Sequence, residues 1–112
     1  MAGVPKYLSS LGLAEKAGRV MSGELMTEKA VRSGKAKLVF VASDSSDNTK
    51  KKFTNLCDHY NVPVYFPDTK DVIGHAIGKE FRASLAVIDD RFAELIVRNI
   101  NGEAKGSIGG NR

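Results

Sequence analysis

Five consecutive apolar residues, Leu38-Val39-Phe40-Val41-Ala42, lie between Lys37 and the polar run Ser43–Asp47. A strand with one face in water alternates apolar and polar residues, so an unbroken apolar run requires cover on both faces. In a chain of 112 residues that cover has to come from helices above and below a small sheet. Such a chain makes one domain with one modest core.

The flanking sequence supplies those helices. Pro5, then Leu8, Leu11 and Ala14 or Glu15, predict a helix over 5–17 that Gly18 closes. Arg19–Ser22 reads as a short edge strand. Gly23–Ser33 reads as a second helix, with Thr27, Ala30, Val31 and Gly34 as its packed face and Gly34 as its stop. After the central strand, Ser43–Asp47 is rich in helix-capping side chains. A third helix follows to about Tyr60, with Phe53, Leu56, Cys57 and Tyr60 inward. Asn61 breaks it before a second strand, Val62–Phe66. Asp68 or Thr69 caps a fourth helix to Ala76, ended by Gly78. Leu85–Ile88 is a third core strand, and Asp89-Asp90 caps a last helix with Phe92, Leu95, Ile96 and Asn99 inward. Strands alternating with helices over short loops predict an α/β fold, a single-domain three-layer α/β/α sandwich. The domain is expected to span 1–101, and the composition of NGEAKGSIGGNR, from Asn101, predicts a flexible C-terminal tail over 102–112.

Charge is distributed unevenly along this frame. The chain carries a formal +4, with ten Lys/Arg against five Asp/Glu in residues 1–52 and seven against eight in 53–112. A basic N-terminal half favours a polyanionic partner. A single cysteine, Cys57, forms no internal disulfide and suits a reducing compartment. MAGVPKYLSS has no apolar stretch of signal-peptide length and no run reaches membrane-spanning length, so a cytoplasmic protein without a membrane partner is expected.

The motifs that suggest chemistry reduce to structure. In GHAIGKEF, Gly74–Phe81, the glycines are one residue too close for a phosphate loop, and Glu80 stands where a metal-binding hydroxyl is needed. Cys57 and His59 fall on different helix faces, so no metal site is expected from Cys57, His59 and His75. Asp44, Asp47, Asp89 and Asp90 follow strands, where enzymes often keep acids, but each also sits where a helix needs a cap. No nucleophile–base pair stands out, so no enzyme, cofactor or small-molecule substrate is expected. Lys50-Lys51-Lys52 reads as a solvated face whose position in the first turns of a helix mildly favours an external anion. The second helix is the stronger signal. Ser22 and Gly23 leave backbone N–H groups for a phosphate at its start. Lys29 lies on the face opposite the packed one, followed by Arg32, Lys35 and Lys37.

Gly23 with Lys29-Ala30-Val31, Gly34 to Val39, Ala42-x-Asp44, Leu56-Cys57, Asn61-Val62-Pro63 and Ile73-Gly74-x-Ala76-x-Gly78 together resemble a known family. It is the kink-turn RNA-binding family of large-subunit ribosomal proteins, the archaeal "L seven Ae" type, and within it the small bacterial YlxQ-type members. The resemblance covers roughly residues 5–100. It implies an α/β/α sandwich with a mixed four-stranded sheet, and binding of a sharply bent RNA duplex whose kink is flanked by tandem G·A pairs. The family pattern Gly-x-Asn-Glu-x-x-Lys places Gly23 and Lys29 on the RNA, with Leu25 and Met26 where the base-reading Asn and Glu stand. Neither side chain can hydrogen-bond a base edge. Lys70 matches a basic position near the phosphates. The loop Lys79–Ser84 matches a segment that covers a flipped-out base, with Phe81 able to stack and Lys79 and Arg82 suited to phosphate.

The expectation is therefore a non-enzymatic, monomeric protein that binds structured RNA, kink-turn or ribosomal, and not DNA. Its contact residues would be Ser22, Gly23, Glu24, Leu25, Met26, Lys29, Arg32, Lys35, Lys37, Lys70, Lys79, Phe81 and Arg82. The alternative is a protein-interaction module associated with ribosome or transcription machinery, docking a partner through Leu25, Met26 and Phe81.

Overall fold

A computed structural model of the chain describes residues 4–103. Its elements run α1 (Lys6–Lys16), β1 (Val20–Ser22), α2 (Glu24–Arg32), β2 (Leu38–Val41), α3 (Asp47–Tyr60), β3 (Val64–Tyr65), α4 (Lys70–Ala76), β4 (Ser84–Val87) and α5 (Asp90–Glu103). The four strands form one sheet in the order β1-β4-β2-β3. β4 is antiparallel to both β1 and β2, while β2 and β3 run parallel. The sheet is therefore mixed, and α3 is the crossover that a parallel pair requires.

All four residues of β2 are buried. Leu38 and Phe40, with Leu85 and Val87 of β4, pack under α1, α4 and α5 through Leu8, Leu11, Ile73, Ile77, Ala93 and Ile96. Val39, Val41 and Ala86 pack on the opposite face against α2 and α3 through Ala30, Val31, Phe53, Leu56 and Cys57. This is the three-layer α/β/α arrangement anticipated from the apolar run. Phe40 makes edge-to-face contacts with Tyr7 and Tyr65, at centroid distances of 6.0 and 6.4 Å. The Tyr7 hydroxyl donates to Asp68 Oδ2 at 3.1 Å, which satisfies a polar tip on a buried ring.

Two local expectations are changed by the backbone. The second strand shortens from Val62–Phe66 to Val64–Tyr65 because Asn61 is left-handed and Val62 N–H turns back to the Cys57 carbonyl. Pro63 has no N–H to give, and only its carbonyl joins the sheet, accepting from Val39 N–H at 2.9 Å. Gly34 is exposed rather than packed, and its positive φ of 81° makes it solely the stop of α2. The sequence also left open which residue caps which helix. Ser46 Oγ accepts from Thr49 N–H at the start of α3, and Thr69 Oγ1 accepts from Val72 N–H in α4. Asp89 Oδ1 takes the amides of Arg91 and Phe92 in α5. α5 is described to Glu103, and residues 104–112, most of the expected tail, lie outside the described residues.

Burial pushes the Cys57 thiol up to about 11. At pH 8 only about one molecule in a thousand would carry the thiolate. A colorimetric thiol reagent should leave the native protein unlabelled at pH 8 and label it stoichiometrically in urea. Rapid native labelling would contradict the packing of α3 on the sheet.

Candidate functional site

One end of the sheet gathers the features singled out in the sequence. It is the end where β2 finishes, β4 begins and β1 hands over to α2. Gly23 N–H donates to the Ser84 carbonyl at 2.9 Å, and Ala42 N–H to the Ala83 carbonyl at 2.8 Å. Lys70 N–H donates to Asp44 Oδ1 at 2.9 Å, and Arg82 N–H donates to the Lys70 carbonyl at 3.1 Å. The Arg82 side chain completes the junction, with Nε donating to Ser22 Oγ at 3.2 Å and Nη1 to the Phe81 carbonyl at 2.8 Å. The start of α2, the start of α4 and the loop 79–83 are thus tied to one another mainly through backbone groups.

Gly23 is demanded by its backbone. With φ 97° and ψ 155°, it lies in a region that essentially only glycine occupies. That conformation turns the chain directly from β1 into α2 with no side-chain cap. The expectation for the Gly23 amide is corrected here: it is spent on Ser84 across the sheet, so it is not available to a ligand. The uncapped first turn instead leaves the amides of Glu24, Leu25 and Met26 as the unpaired donors of the helix start. Thr27 binds the turn from beneath, its amide and its Oγ1 both donating to the Gly23 carbonyl at 2.9 and 2.7 Å.

Gly74 performs a second service. A Cβ there would meet Phe81 Cα at 2.3 Å, so only a bare backbone lets loop 79–83 cross α4. Lys79 N–H donates to the Gly74 carbonyl at 2.8 Å, and Gly78 makes the turn at φ 77°. The crossing carries Phe81 outward, 55% exposed, between Lys79 and Arg82. Leu25 is 69% exposed and Met26 37% at the start of α2.

The charges divide by helix face. Glu24 and Glu28, one turn apart on α2, both accept from Lys52 Nζ of α3, each at 2.9 Å. Arg32 Nε donates to Glu28 Oε2 at 3.0 Å. Lys29 is exposed on another face of α2 with no ion-pair partner among the described residues. Lys52, read in the sequence as part of a solvated lysine face, is instead paired with two carboxylates of α2. The signal was Glu24 and Glu28 at i and i+4, a like-charged pair that calls for a cation, though nothing local in the sequence says which one supplies it.

Of the thirteen anticipated contact residues, the structure gathers Ser22, Gly23, Glu24, Leu25, Met26, Lys70, Phe81 and Arg82 at this end, with Lys29 one turn behind Leu25 and Lys79 beyond the far end of α4, its amide on the Gly74 carbonyl. It sets Arg32, Lys35 and Lys37 apart. Lys37 N–H donates to the Val87 carbonyl, at the opposite end of β4, roughly the ~13 Å length of α2 away. Of the four post-strand acids, Asp44 caps α4 and Asp89 caps α5, while Asp47 and Asp90 stand in the first turns of α3 and α5; Asp68 accepts from Tyr7 and from Thr69 N–H. Among the described residues no group of three or more His, Cys, Asp or Glu could hold a metal ion, and no helix is long and apolar enough to cross a membrane. What this end offers chemically is unpaired amides, cations and exposed apolar side chains, a combination suited to a phosphate backbone with accessible bases.

Comparison with known proteins places these features in a family. The profile of the ribosomal protein L7Ae/L30e/S12e/Gadd45 family matches residues 6–97. The RNA-binding protein YlxQ of Bacillus subtilis (strain 168) is 41% identical over 92 residues, covering 82% of this chain and 92% of its own length. A solved structure of a protein with unknown function from Bacillus halodurans C has a TM-score of 0.85 at 37% identity, with 88% of this chain and 99% of that one covered. The Giardia lamblia 15.5kD RNA binding protein shares the fold, with a TM-score of 0.72 at 22% identity over 87% of this chain and 84% of its own.

Two outcomes follow from the local geometry. Gly23→Ala should lower stability by about 1–3 kcal/mol through backbone strain, seen as a lower urea midpoint with unchanged slope. The second concerns acid. Hydrogen bonds from Lys52 and Arg32 hold the Glu28 carboxyl below the usual glutamate range. A carboxyl lowered by folding stabilises at neutral pH and loses that contribution as pH falls through its folded value. Lys52→Met should therefore be less stable than the parent near pH 7, with the gap closing as pH drops below the ordinary glutamate range. A gap independent of pH would show that Lys52 acts by packing alone.

Proposed function

Because the chain belongs to the ribosomal protein L7Ae/L30e/S12e/Gadd45 family, we propose that it is a non-enzymatic RNA-binding protein. Its target is structured, sharply bent RNA of the kink-turn kind, ribosomal RNA included. The observation that carries this reading is the uncapped start of α2 beside the loop 79–83, with Lys29, Lys70 and Arg82 near it. Amides of a helix start accept a phosphate without desolvating a fixed charge, and lysines add salt-dependent attraction along the backbone.

Recognition then works in two parts. The α2 start and its cations hold the RNA backbone and set orientation, while Leu25, Met26 and Phe81 lie where the bases approach. We take the protein to act as a cytoplasmic monomer, in keeping with its one cysteine, Cys57, which is free and buried. The relative named for RNA binding supports the RNA part of this reading. The exposure of Leu25, Met26 and Phe81 also supports a second reading, in which this end docks a protein of the ribosome or transcription machinery.

Gel-shift titration separates the two. The protein should bind a kink-turn RNA at least about tenfold more tightly than a plain duplex of equal length, with affinity falling steeply as salt rises. Lys29→Ala should weaken binding and reduce the salt slope by about one. Equal binding of both RNAs, together with an unchanged Lys29→Ala variant, would remove the RNA reading in favour of the protein one.

A further inference from the structure

Leu25 and Met26 are the second and third residues of α2, directly after Glu24. Leu25 at this uncapped helix start gains little from the fold, since it leaves 69% of its surface in water, while Met26 leaves 37%. Charged groups lie close to them along the helix, with Glu24 directly before the pair and Lys29 after it. Lys29 lies four residues after Leu25 and three after Met26, so it stacks one turn behind them on the helix surface. The carboxylates that could have served that lysine, Glu24 and Glu28, are held by Lys52 on the side facing α3. Arg82 reaches the end of β1 from the neighbouring loop through Ser22, and the loop's own carboxylate, Glu80, lines the groove between α1 and α4 instead. An apolar tip with Lys29 behind it, free of ion pairs among the described residues, and Arg82 anchored on Ser22 beside the α2 start, complements a polyanion that exposes apolar surface. Nucleic acid with an opened base step is such a partner.

We infer that Leu25 and Met26 are the base-contacting residues of this surface, recognising RNA at a step whose base faces are unstacked rather than by the hydrogen-bonding edges of paired bases. This rests on the RNA reading of the same end of the sheet. The chemistry leaves little else for the pair to do on RNA. Neither side chain donates or accepts a hydrogen bond to a base edge, apart from the weak thioether acceptor of Met26. Base faces in a continuous helix are covered by their neighbours, so apolar side chains reach them only where stacking is interrupted. The amides of the first turn and Lys29 then hold the phosphates on either side of the opened step. Selectivity on this surface is therefore for distortion: the interrupted step is required, and the identity of the pairs beside it matters little.

The test uses the full chain and a fluorescein-labelled hairpin RNA with an internal bulge beside tandem G·A pairs. Two further hairpins serve as comparison, one with those pairs changed to other mismatches and one with the bulge removed. The parent should bind the first two within about threefold of each other and lose about tenfold or more on the third. The double variant Leu25→Ala, Met26→Ala should bind the bulged RNAs about tenfold more weakly, with the salt slope unchanged, because no phosphate contact is removed. Replacing both by Gln, which keeps bulk but not apolar character, should give a similar loss. With 2-aminopurine in the bulge, the parent should change its fluorescence and the double variant should not. The inference falls if the double variant binds and perturbs 2-aminopurine like the parent, or if the altered mismatches abolish parent binding. Loss of self-association in the double variant with RNA binding intact would assign the pair to a contact between copies and overturn it too. If the parent prefers no bulged RNA over a plain duplex, the RNA reading falls together with it. All variants should remain cooperatively folded, with a thermal midpoint lowered only modestly through the covered part of Met26, which is 37% exposed.

Discussion

Covering both faces of β2 is the constraint on which the rest of the molecule depends. Leu38 and Phe40 have to be sealed on one side and Val39 and Val41 on the other, so a helix layer is obligatory above and below. With β3 parallel to β2, α3 must cross over one face, while the antiparallel β4 starts where β2 ends. Antiparallel pairing therefore brings the chain leaving α4 to the C-terminal end of β2. β1, antiparallel to β4 on its other side, finishes at that same end and opens α2. The meeting of α2, α4 and loop 79–83 is a consequence of strand direction, before any side chain is considered.

What holds that meeting together is main chain more than side chain. Gly23 and Ala42 donate to the carbonyls of Ser84 and Ala83, and Arg82 donates to Lys70. Two glycines make the geometry possible for different reasons. Gly23 needs a backbone conformation closed to residues with a Cβ, and Gly74 needs the absence of a Cβ where Phe81 passes. A surface built this way presents its side chains from a rigid base, and changes at Leu25, Met26 or Phe81 alter what is recognised without altering the support.

Electrostatic sorting gives the site its sign. α2 carries two carboxylates and two cations, a composition that by itself is neutral. Lys52 from α3 and Arg32 from the last turn of α2 occupy Glu28, and Lys52 also occupies Glu24. Lys29 is left without an ion-pair partner among the described residues, one turn behind Leu25. The positive face thus arises from where α3 places one lysine, and the basic surplus of the N-terminal half would not have produced it unaided.

The elements themselves were legible in the chain. The apolar run Leu38–Ala42 implied two-sided cover, the 3.6-residue spacing of Thr27, Ala30 and Val31 gave the packed face of α2, and Gly18, Gly34, Asn61 and Gly78 marked helix ends. These are local signals, because hydrophobic periodicity and left-handed backbone act within one or two turns of the chain. The candidate site was legible only in part. Gly23, Leu25, Met26 and Lys29 are neighbours in sequence and stay neighbours in space. Their company with Lys70, Phe81 and Arg82 came from family resemblance, since nothing local in the sequence sets which strand lies beside which. The length of β3, the cap that Asp44 provides to α4, the spent amide of Gly23 and the separation of Lys35 and Lys37 from the α2 start were decided by tertiary structure. Each depends on a hydrogen bond or a strand register between segments far apart in the chain. Sequence alone determined that this protein is a small sheet sealed between helices with a basic N-terminal half. The fold decided which of those charges remain unpaired and which apolar side chains stand among them, because pairing and exposure are properties of neighbours brought together by packing.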